Sequence, residues 1–308
     1  MSPRQHTDGP NRRPNAPRAP SDSALILFAK APIPGQVKTR LCPPLTPDEA
    51  ASLHGSVVLD MLERSRLPTP TLPLQGGRDG RGLDRFVACA PSPDHVFFKI
   101  LEERHGVRLI AQIGDDLGAR MARAFADVFA LGYRQVLVVG TDLPTLPGSV
   151  FGEAVTLLAA HDVVLGPALD GGYYLIGLRK PSPELFAGIP WSTDRVLPLT
   201  QQKAAALRLS TALLPVRRDI DTIDDLVALI EEFEIGATGN RQWAPGDRKE
   251  PSPHRSSLDS TRDREPVERS PTAPGLSPRT AGVLRLLANR LRTHTQRTSK
   301  TMKSTASL

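Results

Sequence analysis

Short apolar runs recur along this chain, separated by stretches with helical periodicity. Residues 24–29 (ALILFA), 86–90, 107–111 and 135–139 are too short for helices and largely free of interruption. Runs of that kind predict strands buried on both faces of a parallel sheet. Between them the apolar positions fall three and four apart. The span 116–131 sets Leu117, Met121, Ala124, Phe125 and Val128 on one helical face. A helix over about 47–66 is signalled by Thr46-Pro47-Asp48-Glu49, a capping box with proline at the first helical position. Further helices are expected at 94–104, 150–161, 193–206 and 223–234, and further strands at 162–165, 173–178 and 211–215. This alternation predicts an α/β fold, a mainly parallel sheet with helices on both faces. Ligands in such folds sit beyond the carboxyl ends of the strands, where the strand order reverses. The segments that directly follow strands are therefore where chemistry is sought.

The pattern fails at both ends. Residues 1–23, rich in Pro, Arg, Asn and Ser, hold almost nothing apolar and read as a disordered tail. The span 68–84 (Pro, Gly and charge) reads as a flexible loop. Residues 237–308 read as a second disordered tail, broken by a predicted amphipathic helix at 278–292. Val283, Leu284, Leu287 and Leu291 share one face of that helix. A basic amphipathic helix suits weak contact with a membrane surface or a protein, and a partly formed helix in a tail is the plainer alternative. The expected organisation is one domain, 24–236, between two tails.

Composition sharpens this picture. The apolar share of 39% and the 30 prolines among 308 residues fit a chain that is folded only in part. The net charge of +6 sits in the tails: residues 1–23 carry +2, residues 240–308 carry +8, and residues 24–239 carry −4. A mildly acidic domain argues against nucleic acid as a partner. Cys42 and Cys89 form no metal-binding spacing and read as free thiols. No apolar run approaches the roughly 20 residues of a membrane span, and residues 1–23 contain no apolar leader core. The expected location is the cytoplasm.

Five segments carry candidate chemistry. In the loop 30–41 (KAPIPGQVKTRL), Gly35 permits close backbone approach, and Lys38 and Arg40 supply two cations suited to a pyrophosphate. The P-loop spacing is absent. In 112–121 (QIGDDLGARM), Gln112 can read a base edge through its amide and Gly114 permits close approach, whereas Asp115 and Asp116 are as readily caps. Asp142, in GTDLP directly after a strand, is the candidate ligand of a divalent cation bridging that pyrophosphate. Asp170-Gly171-Gly172-Tyr173-Tyr174 offers Asp170 as an acceptor-orienting carboxylate or base, with a hairpin turn as the structural alternative. Asp219 and Asp221 fall on one side of an extended segment and can complete the metal site, while Thr222, Asp224 and Asp225 suit the start of a helix. Trp191 either stacks on a sugar or base or fills the core.

Taken together, FAKAPIPGQVKTRL, GDDLGARM, VVGTDLP, LGPALDGGYYLIGL, PWST and DIDTIDDL resemble, in order, the bacterial DUF2064 family over about residues 24–230. The family is commonly labelled glycosyltransferase, and part of it is linked to arsenosugar biosynthesis. The resemblance implies a GT-A-type fold, that of the nucleotide-diphospho-sugar transferases. It also implies distant similarity to 2-phospho-lactate guanylyltransferase and the molybdenum-cofactor nucleotidyltransferases. Carried onto this sequence, it gives Gly35, Lys38 and Arg40 to phosphates, Gln112 and Gly114 to the base, and Asp142 with Asp219 or Asp221 to Mg²⁺ or Mn²⁺. The segment Asp170 to Tyr174 would face the acceptor, with Gly171, Gly172, Tyr173 and Trp191 as the candidate acceptor or sugar contacts. Asp142, Asp170 and Lys38 are then the catalytic candidates. The implied reaction moves a sugar from a nucleotide-sugar to a small-molecule acceptor. The lone Asp142, where many such enzymes have Asp-x-Asp, keeps nucleotidyl transfer from an NTP as an alternative, and a non-catalytic nucleotide-binding protein as a second.

Overall fold

The computed structural model describes residues 22–66, 83–237, 276–288 and 290–291. Residues 1–21 of the tail expected at 1–23, most of the 68–84 loop and most of the 237–308 tail lie outside these residues. Seven strands form one sheet: β1 (Ser23–Lys30), β2 (Asp84–Ala90), β3 (Arg108–Ala111), β4 (Gln135–Val139), β5 (Val163–Pro167), β6 (Tyr173–Leu178) and β7 (Thr211–Leu213). Their order is β3-β2-β1-β4-β6-β5-β7. The helices are α1 (Pro47–Arg64), α2 (Val96–His105), α3 (Leu117–Phe129), α4 (Ser149–Leu158), α5 (Val196–Ala206) and α6 (Ile223–Ala237). A seventh, α7, covers 278–288. The α/β fold with a mainly parallel sheet is as expected; the exception is β6, antiparallel to both β4 and β5.

Strand alternation divides the core. Leu25, Leu27, Val87, Leu137 and Val139 point to the face covered by α1, α2, α4 and α6. Ile26, Phe86, Ala88, Val136 and Val138 point to the face covered by α3 and α5. Both faces are buried, so the strands read as continuous apolar runs. β1 lies between β2 and β4, parallel to each. The chain steps outward from β1 to β2 and β3, then returns to β4 on the other side. That reversal opens a crevice at the carboxyl ends of β1 and β4. Because β6 runs antiparallel to β4, with Val139 opposite Leu175, its amino end reaches the same rim.

The C-terminal helix departs from the expectation of a tail available to a membrane or a partner. The apolar face of α7 packs into the core: Leu284 is 0% exposed and Leu287 2%, within the cluster that includes α1 and α6. The polar side of this contact centres on Asp60 of α1, which is fully buried. Ser277 Oγ donates to Asp60 Oδ1 at 2.6 Å, Arg279 to the same oxygen at 3.0 Å and Thr280 Oγ1 to Oδ2 at 2.6 Å. Arg279 also pairs with Glu63 at 2.9 Å, and Arg290 with Glu49 at 2.5 Å. Periodicity revealed the helix. It did not reveal that a buried carboxylate 217 residues earlier accepts the helix cap. Among the described residues no helix is long and apolar enough to cross a membrane.

Because α7 is part of the core, truncating its buried leucine is costly. Leu284→Ala should lower unfolding stability by about 2–5 kcal/mol, whereas Leu286→Ala, at a position 72% exposed, should change it by about 0.5 kcal/mol or less. Urea unfolding of the full chain measures both, and equal small effects would detach α7 from the domain.

Candidate functional site

Three loops meet at the mouth of the β1–β4 crevice, and one ammonium holds them together. Lys38 leaves the loop after β1 in a left-handed backbone conformation, φ 48°. Its side chain is only 8% exposed. Lys38 Nζ lies 2.5 Å from Asp142 Oδ1 and 3.1 Å from Asp221 Oδ1, and donates to the carbonyl of Ile220 at 2.5 Å. The Ile220 amide in turn donates to the Asp142 carbonyl at 3.0 Å. The segment after β1, the segment after β4 and the segment before α6 are thus stitched into one rim. Asp142 and Asp221 each keep nearly half of their side chains exposed.

These residues line a cavity of about 470 Å³, together with Arg40, Gln112, Asp170, Gly172, Trp191 and Asp219. A hollow of about 800 Å³ at the opposite end of the sheet, beside Asp22, Tyr133 and Arg134, contains no comparable convergence of carboxylates. Asp219 is the most perturbed acid of the rim: burial first, then repulsion from Asp170, Asp221 and Asp142, pushes its carboxyl up from 3.8 to about 6.

Gln112 is placed at the cavity with its amide already partly engaged. Nε2 donates to the carbonyls of Ala88 at 2.8 Å and Ala29 at 3.3 Å, tying β3 to the ends of β2 and β1. Turning the amide over would set Oε1 against two carbonyl oxygens, so this orientation is fixed by chemistry. The group left for a ligand is the acceptor Oε1.

The glycines do different work from one another. Gly35 is exposed at φ 76° on the outer part of its loop. Gly114 is turned toward its own helix rather than into the cavity: a Cβ there would lie 2.7 Å from the amide of Arg120. Asp116 caps α3 by accepting from Ala119 N at 2.7 Å. Gly171, at φ 86°, passes against the backbone of Asp194, where a Cβ would lie 2.4 Å from its carbonyl oxygen. The turn from β5 to β6 is the hairpin held open as an alternative, with Asp170 Oδ1 accepting from Gly172 N at 2.8 Å. Thr222 and Asp225 form a reciprocal cap on α6, Thr222 N donating to Asp225 Oδ2 at 2.9 Å.

The aromatic residues divide in the same way. Tyr174 belongs to the core, 4% exposed, with its hydroxyl donating to the carbonyl of Pro215. The Tyr173 hydroxyl is buried toward Thr200, and that burial pushes the phenol up. The Tyr173 ring meets Trp191 edge-on at 6.5 Å. Trp191 lines the cavity, and its indole N–H has no hydrogen-bond partner among the described residues.

Three contributors were not singled out from the sequence. Gly118 makes room for the indole: a Cβ there would lie 2.6 Å from the Trp191 ring. A glycine in the first turn of an otherwise strong helix was the available signal, since it costs about 1 kcal/mol against alanine and implies a packing reason. His54 of α1 lines the cavity, bonds through Nε2 to the Lys30 carbonyl at 3.0 Å, and is held below the usual imidazole range by burial. Arg64 donates to the carbonyls of Pro144 and Leu146, fastening the loop beyond Asp142 to α1.

A family model for DUF2064, described as uncharacterized proteins conserved in bacteria, matches residues 77–193. A solved structure from Desulfovibrio desulfuricans G20, described as a candidate nucleotide-diphospho-sugar transferase, is 34% identical with a TM-score of 0.61. The match covers 71% of this chain and 89% of that one. The chain belongs to the DUF2064 family. A cytidylyltransferase from Leptospira borgpetersenii is a remote likeness at 15% identity and a TM-score of 0.43, covering 71% of this chain and 88% of that one. No curated protein matches the chain.

In this DUF2064 site the donors at the rim are carboxylate oxygens, the chemistry a hard divalent cation accepts. Among the described residues no three potential ligands close on a common point; Asp142 and Asp221 instead share Lys38.

The raised carboxyl of Asp219 has a signed consequence. Between about 4 and 6 the folded protein binds more protons at this group than the unfolded chain does, so its contribution to stability falls as pH rises through that window. Asp219→Asn, which keeps the shape without the charge, should raise the melting temperature of the metal-free protein at pH 7.5 and leave it nearly unchanged at pH 4. Melting curves at the two pH values check this, and the same change at both would contradict it.

Proposed function

We propose that this DUF2064 protein is a transferase that moves a sugar from a nucleotide-sugar to a small-molecule acceptor, with Mg²⁺ or Mn²⁺ at the carboxylate rim. The observation that carries the reading is the meeting of Asp142, Asp221 and Lys38 at the carboxyl ends of β1 and β4. Four carboxylates face one buried ammonium across a single cavity, and the mutual repulsion felt at Asp219 is what a dication would relieve. Asp142, with Asp221 or Asp219, would hold the ion. When bound, such an ion supplies electrostatic stabilisation to a departing diphosphate.

The chain's own groups divide the remaining tasks. Arg40, exposed at the rim, and Lys38 are the phosphate-binding cations. Oε1 of Gln112 accepts a hydrogen bond from the base, which favours a base with an exocyclic amine over one whose single edge N–H lies between two carbonyls. On the far side of the cavity, Trp191 offers its ring to the sugar or acceptor, beside Gly172, with its indole N–H buried against Gly118. Asp170 spends one oxygen on its own turn and keeps the other for an acceptor hydroxyl, as an orienting group or base.

Nucleotidyl transfer from an NTP to a small phosphorylated or acidic substrate is the second reading. It is favoured by the single strand-end carboxylate, Thr141-Asp142-Leu143, in place of a paired Asp-x-Asp. The products separate the two: a nucleotide-sugar yields a nucleoside diphosphate in the first, and an NTP yields pyrophosphate in the second. Binding of nucleotide with turnover of neither would leave a non-catalytic nucleotide-binding protein.

Asp142→Ala should abolish Mn²⁺-dependent nucleotide binding, a loss of about a hundredfold or more in affinity, with the far-UV circular dichroism unchanged. Calorimetric titration with nucleotide in the presence of Mn²⁺ reads the effect. Unchanged affinity in the folded variant would remove the metal from this account.

A further inference from the structure

The ammonium of Lys38 has three N–H donors. All three have oxygen acceptors within the protein: Asp142 Oδ1, Asp221 Oδ1 and the carbonyl of Ile220. In this state Lys38 has no donor left for a phosphate. It also lies between Asp142 and Asp221, one of the two carboxylate pairs that the metal reading allows for the ion. One positive centre already stands where a cation bridging Asp142 and Asp221 would stand.

We infer that Lys38 is a built-in stand-in for the divalent cation, holding Asp142 and Asp221 together in the free protein and giving up that position when metal and phosphates arrive. The inference rests on the metal reading proposed above and adds an order to it. Free metal meets a carboxylate pair that is already half neutralised and bridged by Lys38. A phosphate-bearing ligand offers Lys38 alternative acceptors, and only then do both carboxylates turn to the ion. The geometry suits an exchange of this kind. Asp142 and Asp221 are 46% and 42% exposed, so an ion in the cavity can reach both carboxylates, while the lysine between them is 8% exposed. Lys38 is also one of only three non-glycine residues with positive φ among those described. Its backbone is held in an uncommon conformation at the point where its side chain enters the rim.

Mn²⁺ alone is the probe, with free ion followed by electron paramagnetic resonance in titrations of the full chain. The wild-type protein should bind Mn²⁺ weakly. Lys38→Met should bind it about tenfold more tightly or better, because a positive charge has been removed from between its ligands. Lys38→Gly, which accepts a left-handed φ without strain, should show the same gain and serves if the methionine variant folds poorly. The double variant Lys38→Met with Asp142→Asn should return to weak binding. Equal or weaker binding in the folded Lys38 variants would overturn the inference while leaving the metal reading intact. No Mn²⁺ binding by any of the proteins, with nucleotide or without, would overturn both.

Discussion

Like charges concentrated at one end of a sheet repel, and this fold places four carboxylates around one cavity. The Lys38 ammonium makes that arrangement tenable in the free protein. It neutralises charge, and through Ile220 it also joins the backbone of the third loop to the side chains of the other two. The crevice between β1 and β4 is set by strand order, but its rim is set by this single polar contact. Burying the ammonium costs desolvation that offsets much of the Coulomb energy gained from the two half-exposed carboxylates, so the contact does more to define one arrangement than to add net stability.

Much of the architecture was legible in the sequence because the strands are buried on both faces and the helices on one. ALILFA and VLVV read as strands for the same reason that they pack: every position but Phe28, which lines the cavity, is buried. The Thr46–Glu49 box marks the start of α1 through local hydrogen bonds that need no tertiary context. The antiparallel β6 was not legible, since an apolar run carries no record of its direction. The packed position of α7 was also hidden. Its amphipathic face is as compatible with a membrane or partner as with α1, and the deciding residue, Asp60, lies far away in sequence among apolar neighbours.

Around the cavity, position was easier to read than task. Residues that follow strands came to the rim as strand polarity dictates, so Lys38, Gln112, Asp142, Asp170 and Asp219 share one opening. What each atom does depends on neighbours that spacing does not encode. Gln112 commits its donors to two strand-end carbonyls, Gly114 leaves room for its own helix rather than for a ligand, and Tyr174 turns into the core. Glycine illustrates the limit well. It signals that something passes close by and is silent about whether that is a phosphate, an indole or a neighbouring turn.

The contact between α7 and Asp60 also bears on how this protein is made. A ribosome releases α1 long before residues 277–288 exist, and until then the Asp60 carboxylate lacks the two hydroxyls and the guanidinium that satisfy it. Without them, among the described residues, Asp60 keeps only Arg64 of its own helix, 3.8 Å away, so packing this part of the core would leave a buried carboxylate short of hydrogen-bond donors. α7 therefore supplies the donors that let α1 dry, which ties the closing of this face of the sheet to a segment 217 residues downstream.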